Sequence, residues 1–145
     1  MLVINKADLE KIVSHAARGF PNEVCGILTG RRRRGAKLVE GVHEITNVLS
    51  SPFRYEMDPE EQLRVFEEAE AKSLEVLGFY HSHPYSDASP SAVDRSLASY
   101  RGLSYVIYSI PTKSVASFVW NGESFEAEEV RVVAGNRNRL FPLEK

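Results

Sequence analysis

Cysteine is nearly absent: Cys25 stands alone among 145 residues, so no internal disulfide forms and no disulfide scaffold is available. An excess of basic charge is missing too. Lys and Arg number 18 against 20 Asp and Glu, a net charge of −2, which carries no general signature for nucleic acid or a membrane surface. No apolar run approaches the length that crosses a bilayer. Met1 to Lys6 lacks the apolar core of a signal peptide, so a cytoplasmic location is expected. Internal repeats and low-complexity segments are also lacking. What remains is 43% hydrophobic and 26% charged residues, the balance of an ordinary globular domain with room for one core.

The chain's most informative stretch runs from Gly78 to Asp94, GFYHSHPYSDASPSAVD. Val76 to Tyr80 reads as a short buried strand, and Pro84 breaks it. His81 and His83 are two apart, so in extended backbone their side chains share a face and form half of a metal site. Ser89-Pro90 is a helix-start signal, with Ser89 as N-cap and Pro90 at the first helical position. On that register Ser91 and Asp94 share one side of the helix. Such a helix, packed beside the strand end, brings a carboxylate and a hydroxyl to the histidine pair. Two His and one Asp leave a fourth tetrahedral position for water, the catalytic arrangement of zinc. A blander reading competes. Ser91-Ala92-Val93-Asp94 also fits a capping box with Ser91 as N-cap, and the two histidines then need be nothing but structural.

Far upstream, Glu23 sits in Pro21-Asn22-Glu23-Val24-Cys25-Gly26-Ile27-Leu28-Thr29-Gly30. A carboxylate at the mouth of a buried strand is costly unless it is paired or used. Together these segments resemble the JAMM (MPN+) metalloprotease family: an upstream Glu, then His-Ser/Thr-His-Pro, six residues, Ser, two residues and Asp, matched here without departure. The form of the upstream segment is similar to that of the compact prokaryotic members. The resemblance extends over roughly the first 120 residues by element order. It implies a cytidine-deaminase-like fold, Zn2+ held by His81, His83 and Asp94, Glu23 as general base, and Ser91 as hydrogen-bond donor to the developing oxyanion. It also implies a ubiquitin-like or sulfur-carrier protein as substrate, cut after its C-terminal Gly-Gly. Release of cysteine from a sulfur carrier, and a non-catalytic MPN scaffold, are the alternatives. A zinc deaminase would need a Pro-Cys-x-x-Cys ligand pair, which one cysteine cannot supply.

The rest of the chain predicts mixed α and β, one twisted mixed sheet flanked by helices. Lys6 to Arg18 is an amphipathic helix with Asn5 as N-cap. Glu23 to Thr29 is a strand, and Gly30 to Gly35, with Arg31, Arg32, Arg33 and Arg34, is an exposed hairpin loop. Those four arginines are read as a solvated tip or a docking patch for an acidic protein. Lys37 to Thr46 pairs back as a strand, and Phe53 to Met57 is a short extended piece that could pair with a substrate's glycine tail. A helix follows from Asp58-Pro59, its buried stripe Leu63, Phe66 and Ala69. The helix after the histidines is expected to reach about Arg101 and bury Val93, Leu97 and Tyr100. Strands Tyr105 to Ile110 and Val115 to Trp120 follow. Asn121-Gly122 then signals a type I′ hairpin into Phe125 to Val133. Residues 1–134 are expected to form the domain and 135–145 a tail. His15 and His43 are read as structural, and Cys25 as a small buried hydrophobe. The oligomeric state, a homodimer included, stays open.

Overall fold

The computed structural model describes residues 1–134; the expected tail, 135–145, lies outside the described residues. In chain order the elements are β1 (Leu2–Asn5), α1 (Lys6–Gly19), β2 (Cys25–Arg33), β3 (Ala36–Ile45), α2 (Pro59–Ala71), β4 (Glu75–His83), α3 (Ala92–Leu97), β5 (Ser104–Ser109), β6 (Ser114–Trp120), β7 (Phe125–Glu128) and β8 (Val130–Val133). The strands form one mixed sheet in the order β7-β6-β5-β4-β2-β3-β1-β8. β2 lies antiparallel between β3 and β4, while β4 and β5 run parallel.

Side-chain alternation divides the apolar residues between two cores. On one face Val24, Leu28, Tyr80 and Val106 pack with Ile12 and Ala16 of α1. On the other, Cys25, Ile27, Phe79 and Tyr105 pack with Val65 of α2. The two helices start as their caps dictate. Asn5 Oδ1 accepts the Asp8 N–H at 2.7 Å, and Asp58 Oδ1 accepts the Glu60 and Glu61 N–H groups ahead of Pro59. Along β4, the parity that sends Tyr80 to the first core sends Phe79, His81 and His83 to the second face.

β7 and β8 lie at opposite ends of the sheet order, yet Glu129 alone separates them. The sheet must therefore curl until its edges meet. At the seam Lys37 Nζ of β3 donates to Ser104 Oγ of β5 at 2.6 Å. The Glu128 carboxylate accepts from Ser104 Oγ, from Ser117 Oγ at 2.6 Å, and from Lys37 Nζ at 3.5 Å. Burial opposes ionisation of Glu128, but the two hydroxyls and Lys37 outweigh it and hold the carboxyl below its usual range. Glu128→Ala strands a buried ammonium, with an expected loss of about 3–5 kcal/mol, readable as a lower urea midpoint. Because the folded-state pKa is depressed, the stability Glu128 contributes is present above its ordinary pKa. It is lost as pH falls through the folded one.

Several expectations are corrected. β1 was not expected, because four buried residues abutting a helix show no period of their own; their partners, β3 and β8, lie far along the chain. β2 continues through Arg33, so the arginine loop is only Arg34-Gly35, with φ of 51° and 80°, as a two-residue hairpin demands. The four arginines are exposed, and Arg31 and Arg32 pair with Glu40 and Glu75. Asn121-Gly122 forms no type I′ turn. The loop spans Asn121 to Ser124, and Asn121 Oδ1 accepts the Glu123 and Ser124 N–H groups at 2.8 Å each. The expected strand Phe125 to Val133 is broken into β7 and β8. In α2, Val65 and Ala69 are buried and Leu63 is exposed. Helix α3 ends at Leu97, and Leu97 and Tyr100 are exposed with Val93 half-buried. Phe53 to Met57 is no strand, making a single bridge from Met57 to Asn47.

Candidate functional site

β4 extends through His83, three residues beyond its expected end, and both histidines lie inside it, each 2% exposed. His81 is paired on both sides, with Cys25 of β2 and Ile107 of β5, and His83 with Ser109 of β5, which removes freedom from the ring positions. Ser82 faces the opposite way. Its Oγ accepts the Val24 N–H at 2.9 Å, and its own N–H donates to the Val24 carbonyl at 3.0 Å. The peptide between the two histidines is thereby stitched to the peptide beside Glu23.

The helix register differs from the first expectation. Ser91, not Ser89, is the N-cap of α3, and Ser91 with Asp94 forms a capping box. Asp94 Oδ2 accepts the Ser91 N–H at 2.9 Å, while Ser91 Oγ accepts the Asp94 N–H at 3.0 Å. Ser91 therefore sits at the helix mouth rather than on its side, its hydroxyl proton still available to donate. The same Oδ2 lies 3.1 Å from His83 Nε2 and 3.2 Å from His81 Nε2. Capping and convergence on the histidines are one arrangement, so the two competing readings are compatible.

The two Nε2 atoms are 3.2 Å apart, and the three potential ligand atoms form a nearly equilateral triangle. Tetrahedral zinc with bonds of about 2.0–2.1 Å has ligand–ligand edges of about 3.3–3.4 Å, so the set fits that ion with little movement. His83 Nδ1 donates to the Asp87 carbonyl at 2.7 Å, which leaves Nε2 with its lone pair toward the site. Tyr55 stacks on the His81 ring at 4.7 Å. Burial opposes ionisation of Asp94, yet both imidazoles outweigh it and hold the carboxyl far below its usual range. Burial likewise disfavours charged His83, but the Asp94 carboxylate and the Asp87 carbonyl raise it above its ordinary value. Glu23 is 4% exposed, and among the described residues its Oε1 has no hydrogen-bond partner. Burial is the main cause pushing its pKa up to about 8; His83 opposes and Asp94 assists.

Two imidazoles and a carboxylate whose donor atoms converge are a set of three protein ligands that suits zinc with one further position open to water. The family model described as prokaryotic homologs of the JAB domain matches residues 5–127. The chain belongs to the prokaryotic JAB-domain family. Among its relatives, a desampylase of Haloferax volcanii is 41% identical over 128 residues, covering 85% of this chain and 90% of the relative. A CysO-cysteine peptidase of Mycobacterium tuberculosis is 36% identical over 109 residues, 75% of this chain and 73% of the relative. A solution structure of a Desulfitobacterium hafniense protein matches with TM-score 0.87 at 35% identity, over 95% of this chain and 97% of that one. A JAMM structure, described as a metalloprotease-like zinc site in the proteasome and signalosome, matches with TM-score 0.59 at 21% identity. It covers 92% of this chain and 98% of that one, and it shares the fold. This JAB-domain protein is a hydrolase of JAMM type, and His81, His83 and Asp94 are in position to bind its zinc.

Beside the triangle, the JAB-domain chain opens a cleft of about 310 Å³ whose lining includes His81, Asp94, Tyr55, Phe79, Tyr100 and Tyr105. Asn47 shapes its rim. Its Nδ2 donates to the Glu23 and Arg54 carbonyls at 3.0 and 3.2 Å, and its Oδ1 accepts the Leu49 and Glu56 N–H groups. Asn47, Ser82, Asp87 and Tyr55 were not singled out from the sequence. Ser82 alone had a visible signal, its place between the histidines, but its role depends on the Val24 partner 58 residues away. Ser82→Ala is expected to leave the Val24 N–H unsatisfied. The cost is about 1–3 kcal/mol, measurable by denaturant titration, and turnover falls as Glu23 shifts while zinc content holds. No helix among the described residues is long and apolar enough to cross a membrane.

Proposed function

We propose that this protein is a zinc-dependent isopeptidase that hydrolyses the amide bond after the C-terminal Gly-Gly of a ubiquitin-like modifier. The observation that carries the reading is the 3.1–3.2 Å triangle of His81 Nε2, His83 Nε2 and Asp94 Oδ2, with buried Glu23 whose Oε1 lacks a hydrogen-bond partner among the described residues. His81, His83 and Asp94 hold the metal. When bound, zinc supplies Lewis acidity, lowering the pKa of water to about 7 and favouring the ionised form of the Glu23 carboxyl.

Glu23 acts as general base, taking a proton from the attacking water and returning it to the departing amine. Its dry setting suits the task, because a carboxyl poised near neutral pH both accepts and releases a proton readily. Ser91, at the mouth of α3, donates its hydroxyl hydrogen to the oxyanion. The cleft beside His81 and Asp94 takes the acyl tail. Arg54 to Met57 runs along its rim and offers backbone groups to an extended glycine segment. Backbone hydrogen-exchange protection falling elsewhere on substrate binding would move the tail out of this cleft.

The Mycobacterium relative named as a CysO-cysteine peptidase favours a second reading, release of cysteine from a sulfur-carrier C-terminus. A non-catalytic scaffold is disfavoured, because Glu23, His81, His83, Ser91 and Asp94 are all present. The test is to offer the zinc-loaded protein a modifier–lysine isopeptide conjugate and a carrier–cysteine adduct, each with and without chelator. Faster, chelator-sensitive cleavage of the lysine conjugate supports the first reading; faster cleavage of the cysteine adduct supports the second. Cleavage of neither sinks both.

A further inference from the structure

Three aromatic side chains lie outside both cores at the segments that carry the site. Tyr85 follows His83 by two residues, Phe20 precedes Glu23 by three, and Phe53 is two residues before Tyr55, the ring that stacks on His81. Tyr85 meets Phe20 edge-on at 5.6 Å and Phe53 at 6.3 Å. They are 57%, 48% and 69% exposed, respectively. Three large rings gathered from separate segments and left in water mark an interaction surface rather than a fold requirement.

Position selects the occupant. The cleft is lined by His81 and Asp94 and reaches toward Tyr100 and Tyr105, whereas neither Glu23 nor His83 lines it. An amide at the site has its acyl part on one side and its nitrogen on the other. With the acyl tail in the cleft, the nitrogen points to Glu23, the group that must give it a proton. The ring cluster is carried by the segments that run into Glu23 and His83, with Phe20 three positions before Glu23 and Tyr85 two after His83. A lysine acceptor presents four methylenes ending in the reacting nitrogen. That stem is apolar enough to lie on aromatic faces, and the freed ammonium is attracted to the same faces. We infer that Phe20, Phe53 and Tyr85 form the leaving-group subsite and favour a lysine isopeptide over amides that lack the stem. The inference rests on the isopeptidase reading and extends it. In the reaction the oxygen of water bonds to the carbonyl carbon and the C–N bond breaks. The proton passes through Glu23 to the nitrogen, leaving a carboxylate in the cleft and an amine on the rings.

The experiment uses two probes sharing one acyl part, a fluorescent peptide ending in Gly-Gly. In one it is joined to Nε of an acetyl-lysine amide, and in the other it is a primary amide. Tyr85→Ala and Phe53→Ala are expected to lower kcat/KM on the lysine probe about tenfold, the scale of one lost ring contact. On the primary amide the change stays within about twofold, and Tyr85→Phe restores the lysine probe. On a Glu23→Gln background, fluorescence anisotropy should show Tyr85→Ala weakening binding of the lysine probe only. Equal losses on both probes, or no loss on either, overturn the subsite while leaving the isopeptidase reading in place. A zinc-loaded parent that opens neither probe overturns that reading and the subsite with it.

Discussion

Glu23→Gln should retain its zinc and lose turnover by about 10²–10⁴-fold, the range a positioned general base contributes. The amide preserves the volume and polarity of the side chain but can neither take nor return a proton. Zinc stoichiometry by elemental analysis separates this from loss of the metal, and a variant that retains zinc and turns over within tenfold of the parent refutes the assignment. The same substitution carries a stability signature in the metal-free protein. The folded pKa of Glu23, about 8, lies above the ordinary carboxyl value. Across that window the folded chain binds a proton that the unfolded chain has released, so stability falls as pH rises and levels off above about 8. One such group contributes at most about 1.4 kcal/mol per pH unit. His83, also raised, acts in the same direction above its ordinary pKa. Glu23→Gln should therefore flatten the pH dependence of the urea midpoint in chelator and make the metal-free protein more stable near pH 8. Activity and stability then move in opposite directions, the mark of a carboxyl kept for chemistry.

Asp94→Asn should abolish stoichiometric zinc binding and reduce turnover to background. The carboxylate is the anionic member of the triangle and sits 3.1–3.2 Å from both imidazole nitrogens. Asparagine can still accept the Ser91 N–H, so α3 keeps part of its cap and the loss is not one of folding. Calorimetry provides a second reading. Zinc at a thousandfold excess over its Kd stabilises the parent by about 4 kcal/mol, on the order of 10 °C in Tm for a chain of this size. Asp94→Asn should show no such shift. Zinc-induced stabilisation of the variant equal to the parent's would place the ion elsewhere.

Much of the site was legible in order along the chain. The His-Ser-His-Pro spacing places two imidazoles on one face because side chains alternate in a strand. Ser-x-x-Asp at a helix start brings a carboxylate near a capped turn, though the cap register itself was misplaced by two residues. The strand's length was misjudged because Tyr80-His81-Ser82-His83 carries polar residues where a buried strand usually shows apolar ones. Helix α3 was overextended for the opposite reason. Val93, Leu97 and Tyr100 have helical spacing, but they lie along the open cleft or in water instead of a core. Periodicity reports which residues share a side, and it cannot distinguish a side that packs from one reserved for a ligand.

The sequence by itself determined the candidate donors, their local order and the family, because each rests on residue identity and short-range spacing. Only the tertiary structure decided the distances. Glu23 and the histidine pair are nearly sixty residues apart, and their approach depends on β2 pairing with β4 and on Ser82 holding Val24. The seam that joins the two sheet edges through Glu128 and Lys37 was equally invisible. Long-range pairing follows from the summed burial of two cores, a property of the whole chain that no short window contains.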